Sequence, residues 1–133
     1  MPKLENNLSD ADAGKQKILV ADGDFYYRSI LKNFLSSRGY EVECARDCEE
    51  TVESLMRTTF GLCFIDDHLL AEQMQELIAG RRSGACGIPF VIITADISAE
   101  TERRTKALSP IGYFVKSFNL ADIGAAVDRI LNK

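Results

Sequence analysis

The sequence lacks several features that mark large classes of proteins. No apolar run approaches the roughly 20 residues that a membrane-spanning helix needs, and the N-terminal segment MPKLENNLSDADAGK lacks the apolar core of a secretory signal. A basic excess is also missing, because 16 Lys and Arg residues against 20 Asp and Glu residues give a net charge of -4. Such a charge disfavours a non-specific nucleic-acid-binding surface. We therefore expect a cytoplasmic protein without a direct nucleic-acid or membrane partner.

Metal-binding cysteine pairs are absent as well. The four cysteines form no CxxC pair, and the chain has a single histidine to help them, which disfavours a structural zinc site. Reduced, mostly buried thiols are expected at Cys44, Cys48, Cys63 and Cys86.

What remains is an alternation of short apolar runs and helical patterns. A length of 133 residues suits one domain. The polar residues 1–14 show no periodicity and predict a flexible N-terminal tail, which leaves residues 15–133 for the folded domain. The apolar runs predict strands at residues 18–21, 40–45, 62–65, 90–93 and 111–115.

Helix boundaries have their own signals. Gly39 stands where the first helix should stop, and Asp47 with Glu50 three residues later resembles a capping box at the start of the second. Ser98 and Asn119 are the expected N-caps of the fourth and fifth helices. The third helix is expected to end before Gly84.

Strands that alternate with helices imply a parallel sheet covered on both faces, and right-handed crossovers leave few topologies. Five repeats are too few for an eight-stranded barrel. The predicted fold is therefore a doubly wound, five-stranded parallel α/β sheet of flavodoxin-like (βα)5 type, with strand order 2-1-3-4-5. Its binding site should lie at the carboxyl ends of the strands.

Polar side chains follow four of these strands. Their segments are Asp22-Gly23-Asp24, Asp66-Asp67-His68, Thr94-Ala95-Asp96 and Lys116-Ser117-Phe118. Carboxylates, a hydroxyl and an ammonium would then share one cleft. A carboxylate can attack phosphorus, oxygen ligands can hold Mg2+, and an ammonium can neutralise a phosphate oxygen. The set indicates phosphoryl transfer to an aspartate.

The segments ILVADGDFYYR, FGLCFIDD, PFVIITA and GYFVKSF resemble the receiver domains of two-component response regulators, which are CheY-like. The resemblance covers residues 17–133 and implies roles by position. Asp66 matches the phosphoacceptor, Asp22 the first of two acids, Thr94 the switch hydroxyl and Lys116 the family's lysine. Two further matches are Tyr113, at the aromatic switch position, and His68, whose backbone carbonyl stands where the family has a metal ligand.

The sequence departs from this family at several positions. Gly23 stands where the second acid binds the metal directly, so Mg2+ is expected to bind weakly, or with Asp24 as a substitute ligand. Ser117 replaces the proline of a Lys-Pro bond that is usually cis in the family, which leaves cis and trans both open. The loop after Asp66 lacks the usual Met-Pro and glycine, so Leu69 and Leu70 either dock a partner or fill the underside of the loop.

Two functions follow from the resemblance, and a third is disfavoured by missing motifs. In the first, a sensor histidine kinase or histidine phosphotransfer protein phosphorylates Asp66, and a downstream protein binds the switched face. No output domain is expected after Lys133, and a monomer or weak homodimer is expected. In the second, a pseudo-receiver binds proteins without phosphorylation. A small hydrolase or flavin protein would need a GxSxG elbow or a phosphate-binding loop, and both are absent.

Simpler interpretations of single residues also stand. Asp22 and Asp66 could cap helices or bind loop amides, Thr94 could be an ordinary strand-end hydroxyl, Lys116 could be solvated, and Tyr113 could be a packing residue. The side chain of His68 is expected to point to solvent beside the acceptor, where it could tune dephosphorylation.

Overall fold

A computed structural model describes residues 17–78 and 88–131. The predicted tail at residues 1–14 and the predicted helix end near Gly84 lie outside these ranges. Strands and helices alternate along the described chain. The strands are β1 (Lys17–Ala21), β2 (Glu41–Ala45), β3 (Leu62–Asp66), β4 (Phe90–Thr94) and β5 (Gly112–Val115). The helices are α1 (Phe25–Ser37), α2 (Cys48–Arg57), α3 (Glu72–Ile78), α4 (Ala99–Lys106) and α5 (Leu120–Leu131).

The five strands form one parallel sheet in the order β2-β1-β3-β4-β5, which confirms the predicted topology. β3 is the central strand, and every residue in it is buried. In the register between β3 and β4, Asp66 lies opposite Ile93, so the polar ends of these strands meet at one edge of the sheet. Thr94 in turn lies opposite Val115 of β5, one residue before Lys116.

The sheet buries apolar side chains on both faces. Because successive strand residues point to opposite faces, neighbouring residues of β1 divide between two cores. One core packs against α1 and α5, and it contains Ile18, Val20, Leu31, Leu35, Phe64, Ile93, Ile123 and Val127. The other packs against α3 and contains Leu19, Ala21, Cys63, Ile65, Met74, Ile78, Phe90 and Ile92. Each fully buried Leu or Ile contributes about 1.5–3 kcal/mol to folding.

The helix ends follow the sequence signals with one exception. Gly39 adopts a positive φ of 100° after α1, and Ser98 and Asn119 accept hydrogen bonds from helix N–H groups as N-caps of α4 and α5. Asp47 caps α2 by accepting from the Glu50 N–H at 2.8 Å. The capping box is incomplete, however, because the Glu50 carboxylate accepts from the N–H of Arg46, the residue before the cap.

The segment after β3 begins with a helical turn. A short 3-10 helix, Asp67–Leu69, starts directly at the end of the strand and precedes α3. Leu70 is buried and Leu69 packs partly against the same core, which favours the interpretation that these leucines fill the underside of the loop. In the described part of the chain, no helix is long and apolar enough to span a bilayer.

Candidate functional site

The carboxyl edge of the sheet brings four of the predicted residues together through the backbone. Asp22 follows β1, Asp66 ends β3, Thr94 ends β4 and Lys116 follows β5. The Lys116 N–H donates to the Thr94 carbonyl at 2.7 Å, which continues the ladder between β4 and β5 and fixes where the lysine leaves the sheet. Parallel strands therefore place these side chains without any special loop.

Lys116 joins the two acids that the sequence singles out. Its Nζ lies 2.9 Å from Asp22 Oδ2 and 3.4 Å from Asp66 Oδ1. All three side chains are almost fully buried, with the lysine side chain only 8% exposed. Both contacts are ion pairs, so the ammonium compensates the charges of two buried carboxylates. This burial excludes the interpretation of Lys116 as a solvated surface residue.

The peptide bond between Lys116 and Ser117 is trans. The absence of proline therefore leaves the ordinary peptide geometry, and the lysine still reaches both acids. Its ammonium also lies 4.7 Å from the ring centroid of Tyr27 on α1, within the range of a cation–π contact. Two acids and one aromatic ring thus fix the ammonium from different elements.

Asp22 and Asp24 divide their roles in the first loop. Asp22 Oδ1 accepts from the Asp24 N–H at 2.8 Å, and the Asp22 carbonyl accepts from Arg28 Nη1 at 2.8 Å. Asp24 instead caps α1, because its Oδ1 accepts from the Tyr26 N–H at 2.8 Å. As a substitute metal ligand, Asp24 would have to leave that cap, which costs about 1 kcal/mol.

Gly23 leaves open space between these two acids. A Cβ built there would meet only the Arg46 carbonyl oxygen, at 3.6 Å, which is ordinary van der Waals contact. The position is exposed and has no positive φ that would restrict it to glycine. The backbone therefore tolerates a side chain at the position where the family has its second acid.

The electrostatics of the cluster favour neutralisation of charge. Burial raises the pKa of Asp66, the Asp22 carboxylate raises it further, and Lys116 opposes both effects. For Lys116, burial lowers the pKa, but the nearby carboxylates of Asp22 and Asp66 outweigh this effect and leave the pKa raised. The ammonium therefore stays charged. Ionisation of Asp66 is disfavoured by burial and by Asp22, and a further cation beside it would reduce this free-energy cost.

Thr94 and Tyr113, the two predicted switch residues, contact the loop after β4 and helix α4, respectively. Thr94 Oγ1 is buried, accepts from the Asp96 N–H at 2.9 Å, and is 3.4 Å from the Asp96 carbonyl. Tyr113 is half-buried against the second core, with Lys106 Nζ 5.2 Å from its ring centroid. The tyrosine thus both packs in the core and borders α4, which is compatible with either of its interpretations.

Asp67 is a site residue that the sequence reasoning missed. A residue after Asp66 in a continuing strand would point to the opposite face, but the 3-10 turn that begins at Asp67 breaks this alternation. The carboxylate is buried, its Oδ1 has no hydrogen-bond partner, and its Oδ2 lies 4.0 Å from Arg104 of α4. The run Asp-Asp-His was the available signal.

His68 lies beside Asp66 and is exposed, as the sequence predicts. Its Nδ1 lies 3.4 Å from Asp66 Oδ2, and its side chain is 75% exposed. His68, Asp66 and Asp67 each offer one ligand atom, and these atoms all lie within 4.8 Å of one another. Among the described residues, this is the group of acids and histidine that is compact enough to hold a metal ion.

A magnesium ion is compatible with the acids of this edge. Mg2+ takes oxygen ligands, often one or two carboxylates plus water, and Asp22 and Asp66 place two buried carboxylates at this edge, both in contact with the Lys116 ammonium. Gly23 contributes no side chain, and Asp24 is used as a helix cap. The residues therefore fit Mg2+ with fewer carboxylates than the family pattern supplies.

The comparison that decides the family covers most of the chain. A sequence model of the response regulator receiver domain matches residues 18–128. The chain belongs to this receiver-domain family. The Helicobacter pylori transcriptional regulatory protein CrdR is 28% identical over 119 residues, which cover 89% of this chain and 56% of that protein. The Schizosaccharomyces pombe peroxide stress-activated histidine kinase mak2 is 29% identical over 122 residues, which cover 85% of this chain and 5% of that protein.

Solved structures agree with the receiver-domain assignment. The Vibrio cholerae chemotaxis protein CheY4 has a TM-score of 0.72 at 26% identity, covering 86% of this chain and 98% of that one. A two-component response regulator from Clostridium difficile has a TM-score of 0.76 at 24% identity, covering 89% and 97%, and supports the fold alone. The receiver domain spans about half the length of CrdR and a small part of mak2.

Proposed function

We propose that this receiver domain accepts a phosphoryl group on Asp66 from a histidine kinase or a histidine phosphotransfer protein. The observation that carries the proposal is the buried contact of Lys116 with both Asp22 and Asp66, 2.9 and 3.4 Å from their oxygens. An ammonium beside the acceptor neutralises charge on an incoming phosphoryl oxygen, which is the main requirement of phosphoryl transfer.

The transfer balances without any further reactant. An Asp66 carboxylate oxygen attacks phosphorus while the P–N bond of the donor's phosphohistidine breaks. The leaving imidazole keeps the electron pair of that bond and takes up a proton. Lys116 holds one phosphoryl oxygen throughout, and the Thr94 hydroxyl exchanges its contacts with the Asp96 backbone for another. Bound Mg2+, held by Asp22, Asp66 and the His68 carbonyl, would supply charge stabilisation of the transferring group.

The proposed output is a population shift at the face formed by α4, β5 and α5. A Thr94 hydroxyl drawn towards a phosphoryl group leaves room behind it, and Tyr113, which borders α4 beside Lys106, changes rotamer in response. A downstream protein then binds this face more tightly in one state than in the other. We place the domain in the cytoplasm as a monomer or weak homodimer.

Intact-mass measurement tests the proposal directly. The protein is incubated with a small phosphoramidate or acyl phosphate donor and saturating Mg2+, and a gain of one phosphoryl group is expected. Asp66→Asn should abolish the gain, whereas the control Asp47→Asn, which keeps a capping residue on the exposed start of α2, should retain it. Labelling that persists in Asp66→Asn would contradict the assignment.

One observation favours the alternative, a pseudo-receiver that binds proteins without phosphorylation. Gly23 provides no carboxylate, and Asp24, the acid that follows it, is committed to the cap of α1. No mass gain at saturating Mg2+ or Mn2+, combined with an unchanged fold, would support this alternative. A gain that appears only in Gly23→Asp would show that the missing acid alone inactivates the site.

A further inference from the structure

The residues after β3 form a donor set that differs from that of a magnesium site. Asp66, Asp67 and His68 each offer a ligand atom within 4.8 Å of the others, and one of these atoms is an imidazole nitrogen. We propose that these three side chains form a binding site for a divalent transition-metal ion that accepts imidazole, of the Co2+ and Zn2+ class. The site shares Asp66 with the proposed function but needs no phosphoryl transfer, so either proposal can fail alone.

A buried carboxylate without a partner is the observation that points to a cation. Asp67 Oδ1 has no hydrogen-bond partner in the described residues, although its side chain is only 4% exposed. Among the described residues Arg104 is the cation that pairs with Asp67, and it lies 4.0 Å from the other oxygen, too distant for a hydrogen bond, with half of its side chain exposed. A buried ionised carboxylate without a hydrogen bond is costly unless a cation compensates it.

The charge balance of the loop points the same way. Asp22, Asp66 and Asp67 are three buried carboxylates, and Lys116 is the only Lys or Arg side chain paired with any of them within 3.5 Å in the described part of the chain. Because that ammonium contacts Asp22 and Asp66, Asp67 is left with only the 4.0 Å contact to the half-exposed Arg104. A divalent ion beside Asp66 and Asp67 would correct this deficit.

Ligand geometry decides the class of ion. Bonds of about 2.0–2.2 Å in a four-coordinate site separate neighbouring ligand atoms by roughly 3.4 Å. The contact of His68 Nδ1 with Asp66 Oδ2 already has this separation, 3.4 Å. The remaining separations, up to 4.8 Å, close by rotation about the terminal carboxylate torsions, which are soft. Three protein ligands leave a fourth position open to water or to a phosphoryl oxygen.

Imidazole is the source of selectivity. Mg2+ strongly prefers oxygen ligands, whereas Co2+ and Zn2+ bind imidazole readily. The spacing of the cysteines gave no indication of this site, because a search for paired cysteines does not detect a site built from two acids and a histidine. Here two acids and the single histidine of the chain suffice.

Metal titration of the full chain tests the inference. The background carries Cys44→Ser, Cys48→Ser and Cys86→Ser, so that these three thiols cannot bind the probe metal. Calorimetry with Co2+, Zn2+ and Mg2+ is combined with the visible absorption of bound Co2+. We expect Co2+ to bind at least about 100-fold more tightly than Mg2+, with an absorption spectrum of reduced coordination number.

Three variants test whether the proposed ligands, and not other nearby acids, bind the ion. His68→Asn keeps the backbone carbonyl, and we expect it to weaken Co2+ binding at least about tenfold while Mg2+ binding stays within about twofold. Asp67→Asn should also weaken Co2+ binding, whereas Glu72→Gln, an exposed acid at the start of α3, should not. Circular dichroism checks the fold of each. Equal losses for Co2+ and Mg2+ in His68→Asn, or no loss for Co2+, would overturn the proposal.

Discussion

Lys116 Nζ lies 2.9 Å from Asp22 Oδ2 although the peptide bond after the lysine is trans. The position of the ammonium therefore depends on the sheet and not on an unusual peptide geometry, because the Lys116 N–H is held by the Thr94 carbonyl. Ser117 is thus a tolerated departure from the family pattern. Gly23 is a different kind of departure, since it removes a functional group.

Removal of the ammonium should destabilise the fold. In Lys116→Met, Asp22 and Asp66 stay buried without a compensating charge, and breaking such a buried pair costs about 3–5 kcal/mol. Urea unfolding measures the loss. Lys32→Met, on the exposed face of α1, is the matched control and should change stability by less than about 0.5 kcal/mol. Similar values for the two variants would mean that Lys116 does not neutralise the buried acids.

Restoration of the second acid should strengthen cation binding. Gly23→Asp adds a carboxylate where a Cβ meets only ordinary contact, so Mg2+ affinity should rise about tenfold or more, which is about 1.4 kcal/mol. Calorimetric titration measures the gain. Gly23→Asn has the same size without the charge and should gain little; an equal gain in both variants would assign the effect to the backbone and not to the carboxylate.

Arg104 should compete with a cation for Asp67. Its guanidinium lies 4.0 Å from Asp67 Oδ2 and is half exposed, so the pair is worth about 0.2–1 kcal/mol. Arg104→Gln should therefore raise Co2+ affinity by about 1.5- to 5-fold in a titration. Arg103→Gln, the exposed neighbour on α4, is the control. A decrease in affinity for Arg104→Gln would mean that the arginine positions Asp67 for the ion.

The pH dependence of stability should contain a contribution from Asp128 on α5. The Tyr40 hydroxyl, which donates to Asp128 Oδ1 at 2.7 Å, and the ion pair with Arg38 lower the pKa of Asp128 below its ordinary value of 3.8. A lowered folded-state pKa stabilises the fold above the unfolded-state pKa, and this contribution is lost as the pH falls through the folded-state value.

Asp128→Asn tests this linkage by chemical denaturation at several pH values. The variant should be less stable than the wild type near neutral pH, and the difference should shrink as the pH falls below 3.8. Tyr40→Phe, which removes the hydroxyl and keeps the ring, should show a smaller effect of the same sign. A difference that stays constant with pH would assign the loss to packing.

Most of the fold was predictable because its signals are local. Continuous apolar runs such as residues 18–21 require burial on both faces, which only a covered parallel strand provides, and the caps at Ser98 and Asn119 act within a few residues. In the predicted capping box of α2, the Glu50 carboxylate accepts from the N–H of Arg46 and not from that of Asp47. The direction of the chain before Asp47 decides which of these N–H groups reaches Glu50. That direction is a tertiary property.

The site was predictable in part for the same reason. Strand ends gave Asp22, Asp66 and Lys116, since topology alone brings them together. Asp67 could not be assigned, because its burial depends on where a strand changes into a 3-10 turn. The use of Asp24 as a cap was equally hidden, because an Asp after a strand can either bind a cation or accept from a helix N–H.

The burial of Cys63 gives the central strand a chemical reporter. Its thiol is fully enclosed three residues before Asp66, and burial raises its pKa far above the usual range, so a thiol reagent cannot attack while the sheet is closed. Cys44 and Cys48 are partly exposed and react first, or can be replaced by serine. The rate at which Cys63 is then modified is read as added mass. It equals the rate of strand opening at a reagent concentration high enough to outpace reclosing, and it is proportional to the population of the open state at low concentration. An ion or a phosphoryl group bound at Asp66 should slow that modification, so occupancy of the site can be followed as kinetic protection of a residue that never touches the ligand.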